Sequence, residues 1–265
     1  MMIGCSRELE KEVIDMAKLN ELYRVLEKNA PIDLCEEWDN SGILINSEKD
    51  IINVLITLDI TIEVVEEAVN KNCQLIISHH PVIFKPIYKI EKKDVVYKLI
   101  SNDISVISMH TNLDKADGGV NDILAAKLEL CETKKFADIG RQGELKKSMA
   151  VREFAKIVSK QLNTPIKCSL PDRIIKNVAV IGGSGGAYWK EVCNQHIDAL
   201  LTGEASYHDV LDAKNLNIPV ILAGHWNTEN LVVEEMQKNM GKLFPEIGFV
   251  KSEANVALFR YVFNN

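Results

Sequence analysis

The sequence predicts an α/β protein made of two similar lobes, each with a mixed β-sheet. Short apolar runs alternate with segments of helical periodicity, an order typical of sheets covered by helices. The apolar runs are nearly continuous, which indicates strands buried on both faces. Several of them end directly in histidine or acidic residues, and ligands collect outside the carboxyl ends of strands in such sheets. The sequence therefore predicts a polar site at the strand ends.

Composition agrees with this fold class and excludes several functions. The chain has 265 residues, of which 46% are hydrophobic and 26% charged, as in an ordinary globular protein with one large domain or two lobes. Its formal net charge of −7 argues against binding nucleic acid through a basic surface. A small anionic substrate remains compatible with this charge, because bound metal ions outweigh it locally.

The sequence also bears on location. No apolar run approaches the roughly 18 residues that a membrane helix needs, so we expect no membrane partner. The charged N-terminus lacks the apolar core of a signal peptide, and residues 1–17 are expected to be an extension because Met16 offers a second plausible start. The six cysteines stand singly without a Cys-x-x-Cys motif, which predicts a reduced, cytoplasmic protein.

Periodicity and turn residues place the elements of each lobe. For the first lobe, residues 18–130, they predict helices over 6–29, 61–71 (with Thr61 as N-cap), 94–102 and 120–130, and strands over 43–45, 52–58, 75–78 and 104–108. Residues 131–150 are polar and are expected to cross between the lobes. For the second lobe, residues 151–265, they predict helices over 151–162, after the glycine run 182–186, over 205–214 and up to about 240, and strands near 166 and over 176–181, 198–201, 218–222 and 256–262.

Two strand ends of the first lobe carry candidate metal ligands. His79 and His80 follow an apolar strand directly, and His110 follows the next strand, with Asp114 four residues later. The adjacent imidazoles indicate a metal site, with one ligand for each of two ions. The alternative is a loop pair of histidines bonded to the backbone, and His110 alone is equally typical of a buried structural histidine.

The second lobe repeats this pattern weakly. Asn177-Val178-Ala179-Val180 resembles Asn53-Val54-Leu55-Ile56, and His225 precedes Glu229 by the same four residues that separate His110 from Asp114. Such a repeat predicts lobes related by a pseudo-two-fold axis, with the strand ends facing a shared cleft. Taken singly, the two carboxylates are most often helix N-terminal charges.

The geometry of His225 and Glu229 has two readings. Both lie on one face if a helix begins at His225, whereas the preferred reading leaves His225 in a loop and Glu229 in the first turn. The glycine run 182–186 is expected to form a tight turn, with a substrate-phosphate contact as the alternative.

The combined donor set predicts the chemistry. Four histidines and two carboxylates suit Zn, Fe, Mn, Co or Ni and exceed what one catalytic zinc needs. Two divalent ions with a bridging carboxylate and a bridging water would activate that water. Glu204 and His208 lie near the same rim and are assigned as supporting partners of the ligands or as general acid or base.

Five motifs together resemble the Nif-three-like dinuclear metal-centre family, whose members are described as GTP cyclohydrolase 1 type 2 homologues. The motifs are Trp38-Asp39-Asn40-Ser41-Gly42, Ser78-His79-His80-Pro81, His110-Thr111-Asn112-Leu113-Asp114, Thr202-Gly203-Glu204 and Gly224-His225-Trp226-Asn227-Thr228-Glu229. The resemblance implies two α/β lobes with a two-metal site in the cleft between them and a toroidal homohexamer. It implies the compact form, without the domain that some members insert between the lobes. It also implies that the ligands are His79, His80, Asp114, His225 and Glu229, with His110 lining the site.

Two functions follow as hypotheses. The first is a metal-dependent hydrolase acting on a nucleotide or another phosphorylated or cyclic-amide small molecule, including a GTP cyclohydrolase type 2-like reaction. The alternative is a non-enzymatic metal-binding or regulatory scaffold. Open coordination positions beside a roomy pocket would favour the enzyme, and a saturated, closed site would favour the scaffold.

Overall fold

A computed structural model describes residues 19–259 of the chain. The chain divides into two compact units, each with one β-sheet. The first contains the described residues up to Ala116 and then Val233–Val256, and the second contains Asp117–Val232 and the described residues from Ala257. Among the described helices, none is long and apolar enough to cross a membrane.

The first unit follows the predicted order of elements closely. Its elements are helix α1, described over 19–29, strands β1 (Gly42–Ile45), β2 (Asn53–Thr57), β3 (Leu75–Ser78), β4 (Ser105–Ser108) and β11 (Gly248–Lys251), helices α2 (Ile62–Asn70), α3 (Val95–Ser101) and α4 (Thr111–Lys115), and most of α10 (Leu231–Leu243). Thr61 caps α2 as predicted, since its side chain accepts a hydrogen bond from the Val64 N–H. The predicted part of α1 before residue 19 lies outside the described residues.

The first sheet has the strand order β1-β4-β3-β2-β11. Strands β4, β3, β2 and β11 are parallel, and β1 runs antiparallel to β4. The four parallel strands therefore end at one edge of the sheet. His79 follows β3 and His110 follows β4, so neighbouring strands deliver both histidines to that edge.

Helix α2 closes the first unit through one acidic side chain. The Glu67 carboxylate accepts hydrogen bonds from the Ser252 hydroxyl (2.5 Å) and from the backbone N–H groups of Glu253 (2.9 Å) and Ala254 (3.1 Å). Burial raises the pKa of Glu67, but these bonds and the ammonium of Lys71 outweigh burial and lower the pKa to about 2. Glu67 thus holds the segment that follows β11 against α2.

The second unit contains the second sheet and its helices. Its elements are strands β5 (Cys131–Phe136), β6 (Gly140–Ala150), β7 (Lys167–Cys168), β8 (Ile174–Ile181), β9 (Ala199–Thr202) and β10 (Val220–Leu222), and helices α5 (Val120–Lys127), α6 (Val151–Leu162), α7 (Trp189–Asn194), α8 (Tyr207–Asn215) and α9 (His225–Glu229). The sheet has the order β5-β6-β8-β9-β10-β7, with β8, β9 and β10 parallel and the other pairs antiparallel.

Alternate residues of β8 serve two cores, one on each face of the second sheet. Val178 and Val180 pack in a cluster with Phe154 of α6, whereas Ala179 and Ile181 pack in a cluster with Trp189 of α7. Helices therefore cover both faces, as the continuous apolar strands predicted. The predicted α/β class with two mixed sheets is confirmed.

The two sheets repeat one topology. Each sheet contains three successive parallel strands joined by helices. An antiparallel strand that comes earlier in the chain pairs with the third of them: β1 with β4 in the first sheet, and β7 with β10 in the second. The repeat noted in the sequence covers only a few residues, whereas the structure shows that the strand order is also repeated. The pseudo-two-fold axis stays a prediction.

Three predictions about the chain path need correction. Residues 131–150 contain β5 and β6, which pair with each other and belong to the second sheet, instead of crossing between lobes. The first unit ends at Ala116 and resumes at Val233, so the predicted boundaries at 130 and 151 do not match the units. The final strand predicted over 256–262 is absent from residues 256–259, and the rest of it lies outside the described residues. A strand that the sequence did not predict, β11, lies earlier, at Gly248–Lys251.

Candidate metal centre

Three histidines of the first unit form a compact cluster. The ring centroids of His79 and His80 lie 4.9 Å apart, and His110 lies 5.2 Å from His79 and 5.4 Å from His80. One potential ligand atom from each of the three lies within 4.8 Å of the others. The parallel pairing of β3 with β4 causes this, because it sets the residues after each strand side by side.

The Nδ1 atom of each of these rings faces a hydrogen-bond acceptor. His79 Nδ1 lies 2.8 Å from the Met109 carbonyl, His80 Nδ1 lies 2.7 Å from Asp59 Oδ1, and His110 Nδ1 lies 2.7 Å from Asp39 Oδ1. Each acceptor favours the tautomer that carries its proton on Nδ1. The lone pair of each neutral ring is then on Nε2, the form in which histidine binds a metal through that atom.

Asp39 is held by a network around the start of α4. Besides His110, its carboxylate accepts hydrogen bonds from the Thr111 N–H (3.0 Å), the Thr111 hydroxyl (2.5 Å) and the Ser41 hydroxyl (3.1 Å). Burial raises the pKa of Asp39, but the hydrogen bonds from His110 and Thr111 outweigh burial and hold that pKa well below its usual range. Asp39 therefore stays ionised and fixes His110.

Asp114 adds a carboxylate to the first donor set. It lies on α4, and its residue is only 7% exposed. Its Oδ1 is 3.5 Å from His79 Nε2. A buried carboxylate is stabilised by a cation or by hydrogen bonds, so the pair suits a divalent ion. The structure thus brings His79, His80, His110 and Asp114 together in one unit, and their role as metal ligands stays a prediction.

The second unit carries its own donor set at the end of β10. Helix α9 begins at His225, so His225 and Glu229 lie one turn apart with His225 Nε2 and Glu229 Oε2 separated by 3.0 Å. The start of α9 at His225 corrects the preferred prediction, which placed His225 in a loop. The physical reason is Gly224, whose φ of 84° turns the chain directly from β10 into the helix.

The glycine run makes room for this second set. At Gly183, with φ +61°, a Cβ atom would lie 2.1 Å from Glu229 Oε1 and 3.2 Å from His225 Nε2. The Gly183 N–H also donates to the Thr228 hydroxyl (3.1 Å), which ties the loop to α9. The tight-turn reading of the run is therefore supported, and the turn has a specific purpose: it admits the Glu229 carboxylate.

The residues assigned supporting or acid–base roles lie in different settings. Glu204 Oε2 is 3.3 Å from His225 Nδ1 and accepts a hydrogen bond from the Ser184 hydroxyl (3.2 Å). His208 is exposed on α8, with its ring 5.5 Å from the ring of Tyr207. Among residues 19–259, His208 makes no hydrogen bond or ion pair with Glu204 or His225. The roles of both residues stay predictions.

Sequence reasoning missed three residues that shape these donor sets. Asp59 holds His80 and Asp39 holds His110, and the sequence assigned neither carboxylate to a histidine. Gly183 was treated as one of several turn glycines. The available signal for Asp59 was its position two residues after β2, beside the strand that carries His79 and His80.

The donor sets fit divalent metal ions. Imidazole nitrogens with defined tautomers and buried carboxylates are ligands for Zn, Fe, Mn, Co or Ni, and no cysteine of residues 19–259 belongs to these donor sets. The fold and these residues together define a two-sheet α/β protein with candidate metal ligands at the carboxyl ends of its parallel strands.

Comparison with known proteins identifies the family. The family model for Duf34/NIF3 (NGG1p interacting factor 3) matches residues 17–256, and the chain belongs to this family. A protein from Clostridium acetobutylicum named GTP cyclohydrolase 1 type 2 homolog is 35% identical over 87% of this chain and 92% of its own length. NGG1-interacting factor 3 of Saccharomyces cerevisiae is 31% identical over 86% of this chain and 91% of its own length.

Solved structures share the fold. A Staphylococcus aureus protein described as hypothetical superposes with a TM-score of 0.86 at 29% identity, covering 92% of this chain and 99% of the other. Reduced HcgD from Methanocaldococcus jannaschii superposes with a TM-score of 0.78 at 27% identity, covering 89% of this chain and 97% of the other. The resemblance noted from five sequence motifs is thus confirmed.

Proposed function

We propose that this protein is a dinuclear-metal-dependent hydrolase of a small molecule. The observation that carries the proposal is the set of three histidines whose Nδ1 atoms each face an acceptor, because this arrangement presents three Nε2 atoms as ligands. The second donor set, His225 and Glu229, supplies further ligands. Together the sets exceed the needs of one ion and match the needs of two.

In the proposed centre, His79, His80, Asp114, His225 and Glu229 bind two divalent ions, and His110 lines the site or completes a coordination shell. The adjacent side chains of His79 and His80 serve different ions. Two bound ions would lower the pKa of a shared water and polarise the bond to be cleaved.

The chain's own residues divide the remaining work. Asp39 and Asp59 orient His110 and His80 through Nδ1, which leaves the Nε2 atom of each ring to face a metal ion. Glu204 is partly exposed beside His225, so it can accept a proton from an attacking water and return it to a leaving group. His208 is a further candidate for such proton transfer.

The substrate class is a small molecule with a hydrolysable C–N or phosphoester bond. Relatives carry the name GTP cyclohydrolase 1 type 2 homolog, so GTP is the first compound to assay, followed by other nucleotides and phosphorylated compounds. We also propose a cytoplasmic homohexamer, which light scattering would detect as a particle of six times the chain mass.

Metal analysis tests the centre. We expect close to two ions per chain in protein purified without chelators, and fewer in the variants His225→Ala and Glu229→Ala, while circular dichroism stays unchanged. Glu246→Ala is the matched control, because Glu246 is exposed and remote in sequence from both donor sets. Well under one ion per chain in the wild type would overturn the proposal.

Activity is tested on the same preparations. Metal-reconstituted wild type should hydrolyse at least one compound of the panel, and Glu229→Ala should lose that activity. A protein that binds two ions with full affinity and hydrolyses none of the classes would instead be a metal-binding scaffold.

A further inference from the structure

A cavity of about 800 Å³ lies within the second unit at the carboxyl edge of its sheet. Its lining includes Ser184, Glu204 and Gly224, which follow the parallel strands β8, β9 and β10 in turn. Lys167 also lines it, because β7 runs antiparallel to β10 and so begins at the same edge. This volume and this position are typical of a site for a small molecule.

Lys167 and Glu204 belong to strand ends on opposite sides of β10, because β10 lies between β7 and β9 in the sheet. Strand pairing aligns Lys167 with Leu222, and Leu222 with Thr202, so two strand spacings separate Lys167 from Thr202. Two spacings amount to about 10 Å. Glu204 follows Thr202 by two residues, and therefore the cationic and anionic sides are about 10 Å apart at the backbone.

The acidic side is fixed by local hydrogen bonds. Ser206 caps α8 by accepting from the Asp209 N–H (3.1 Å), and its hydroxyl contacts Asp209 Oδ2 at 2.5 Å. Asp209 thereby joins Glu204 in the lining. Glu204 also contacts His225, so the acidic side of the cavity is continuous with the second donor set. Leu222 and Phe259 add apolar surface to the lining.

We infer that this cavity binds a small zwitterion of tripeptide size, with its ammonium group beside Glu204 and Asp209 and its carboxylate beside Lys167. Three extended residues span at most about 10–11 Å, which matches the backbone separation between the strand ends that carry Lys167 and Glu204. Among the described residues that line the cavity, the ionisable ones are Lys167, Glu204 and Asp209, and their combined negative charge suits an ammonium better than a polyphosphate.

The inference rests on the proposed function, since it names the substrate class of the same centre. The reaction would be hydrolysis of a peptide or amide bond. Water oxygen adds to the carbonyl carbon, the C–N bond breaks with its electron pair on nitrogen, and the amine leaves with a proton taken from that water. Water is the only co-reactant that this step needs.

Calorimetric titration of the metal-reconstituted protein with trialanine tests the inference. We expect trialanine to bind, and its C-terminal amide and its N-acetyl derivative each to bind at least about ten-fold more weakly, because each loses one charge-assisted contact. Lys167→Gln should weaken trialanine binding about ten-fold and leave binding of the amide unchanged. Lys156→Gln, an exposed lysine on α6, should change neither.

Three results would overturn the inference. The first is no binding of trialanine, and the second is equal binding of trialanine and its blocked forms. The third is that GTP binds more tightly than trialanine and that Lys167→Gln does not change GTP binding. Metal content measured on the same samples separates the two proposals. Two ions per chain without trialanine binding would remove only the zwitterion site. Charge-dependent trialanine binding to a chain that holds no metal would support the site and remove the proposed metal centre.

Discussion

Replacement of Gly183 by alanine tests how the second donor set is built. Gly183 has φ +61°, and an added Cβ would lie 2.1 Å from Glu229 Oε1. Carbon and oxygen atoms without a bond pack at roughly 3.5 Å, so the carboxylate would have to move by more than about 1 Å. Metal–ligand distances tolerate shifts of only about 0.2 Å. We therefore expect Gly183→Ala to weaken metal binding about ten-fold to a hundred-fold. Loss of a residue that positions a metal ligand has an effect of this size.

Gly118→Ala is the matched control for this variant. Gly118 has φ +75°, and its added Cβ would meet no atom within 4 Å. Both variants should pay the left-handed backbone cost of about 1–2 kcal/mol, which lowers the melting temperature by a few degrees. Competition with a chromogenic chelator measures metal affinity in both. The reasoning is refuted if Gly183→Ala binds metal like the wild type, or if Gly118→Ala loses affinity to the same extent.

Two further predictions concern the first unit. Asp59→Asn should weaken metal binding about ten-fold to a hundred-fold because Asn cannot hold the His80 ring as a carboxylate does, whereas the exposed control Asp33→Asn should not change it in the same titration. Glu67 has a pKa lowered from 4.5 to about 2, so its stabilisation is complete above about pH 4.5 and disappears as the pH falls towards 2. Urea unfolding should therefore show Glu67→Gln about 1–2 kcal/mol less stable than the wild type at pH 7, after allowance for solvent screening, with the difference shrinking between pH 4.5 and 2. A constant difference across that range, or an equal loss in the control Glu66→Gln, would contradict the role of the Glu67 carboxylate.

Buried parallel strands were the elements that the sequence predicted best. Strand β3 was predicted at its observed bounds, because a continuous apolar run before two histidines is an unambiguous local signal. The position of the histidine cluster followed from that strand and β4. The tautomers did not follow, because Asp59 and Asp39 reach their histidines through pairing and loop packing between segments that are distant in sequence.

The missed strands lack such a local signal. Strand β5 has the sequence CETKKF with five exposed residues, and β6 is rich in charged residues along its length. Their pairing with each other and with β8 stabilises them, and periodicity in one segment does not reveal pairing. The same holds for β11, whose partner β2 lies near the other end of the chain.

The pairing of β11 with β2 also sets an order for synthesis. Gly248 of β11 lies opposite Asn53 of β2, so the first sheet acquires this strand only after the ribosome has made the intervening segment Asp117–Val232. The second unit is continuous from Asp117 to Val232 and can complete its own sheet earlier. Until β11 arrives, the nascent chain carries an unpaired edge on β2, a strand whose side chains are almost all buried in the folded protein. Such an edge invites pairing with other chains, so the interval before β11 is synthesised is the stage at which the first sheet is most exposed to aggregation.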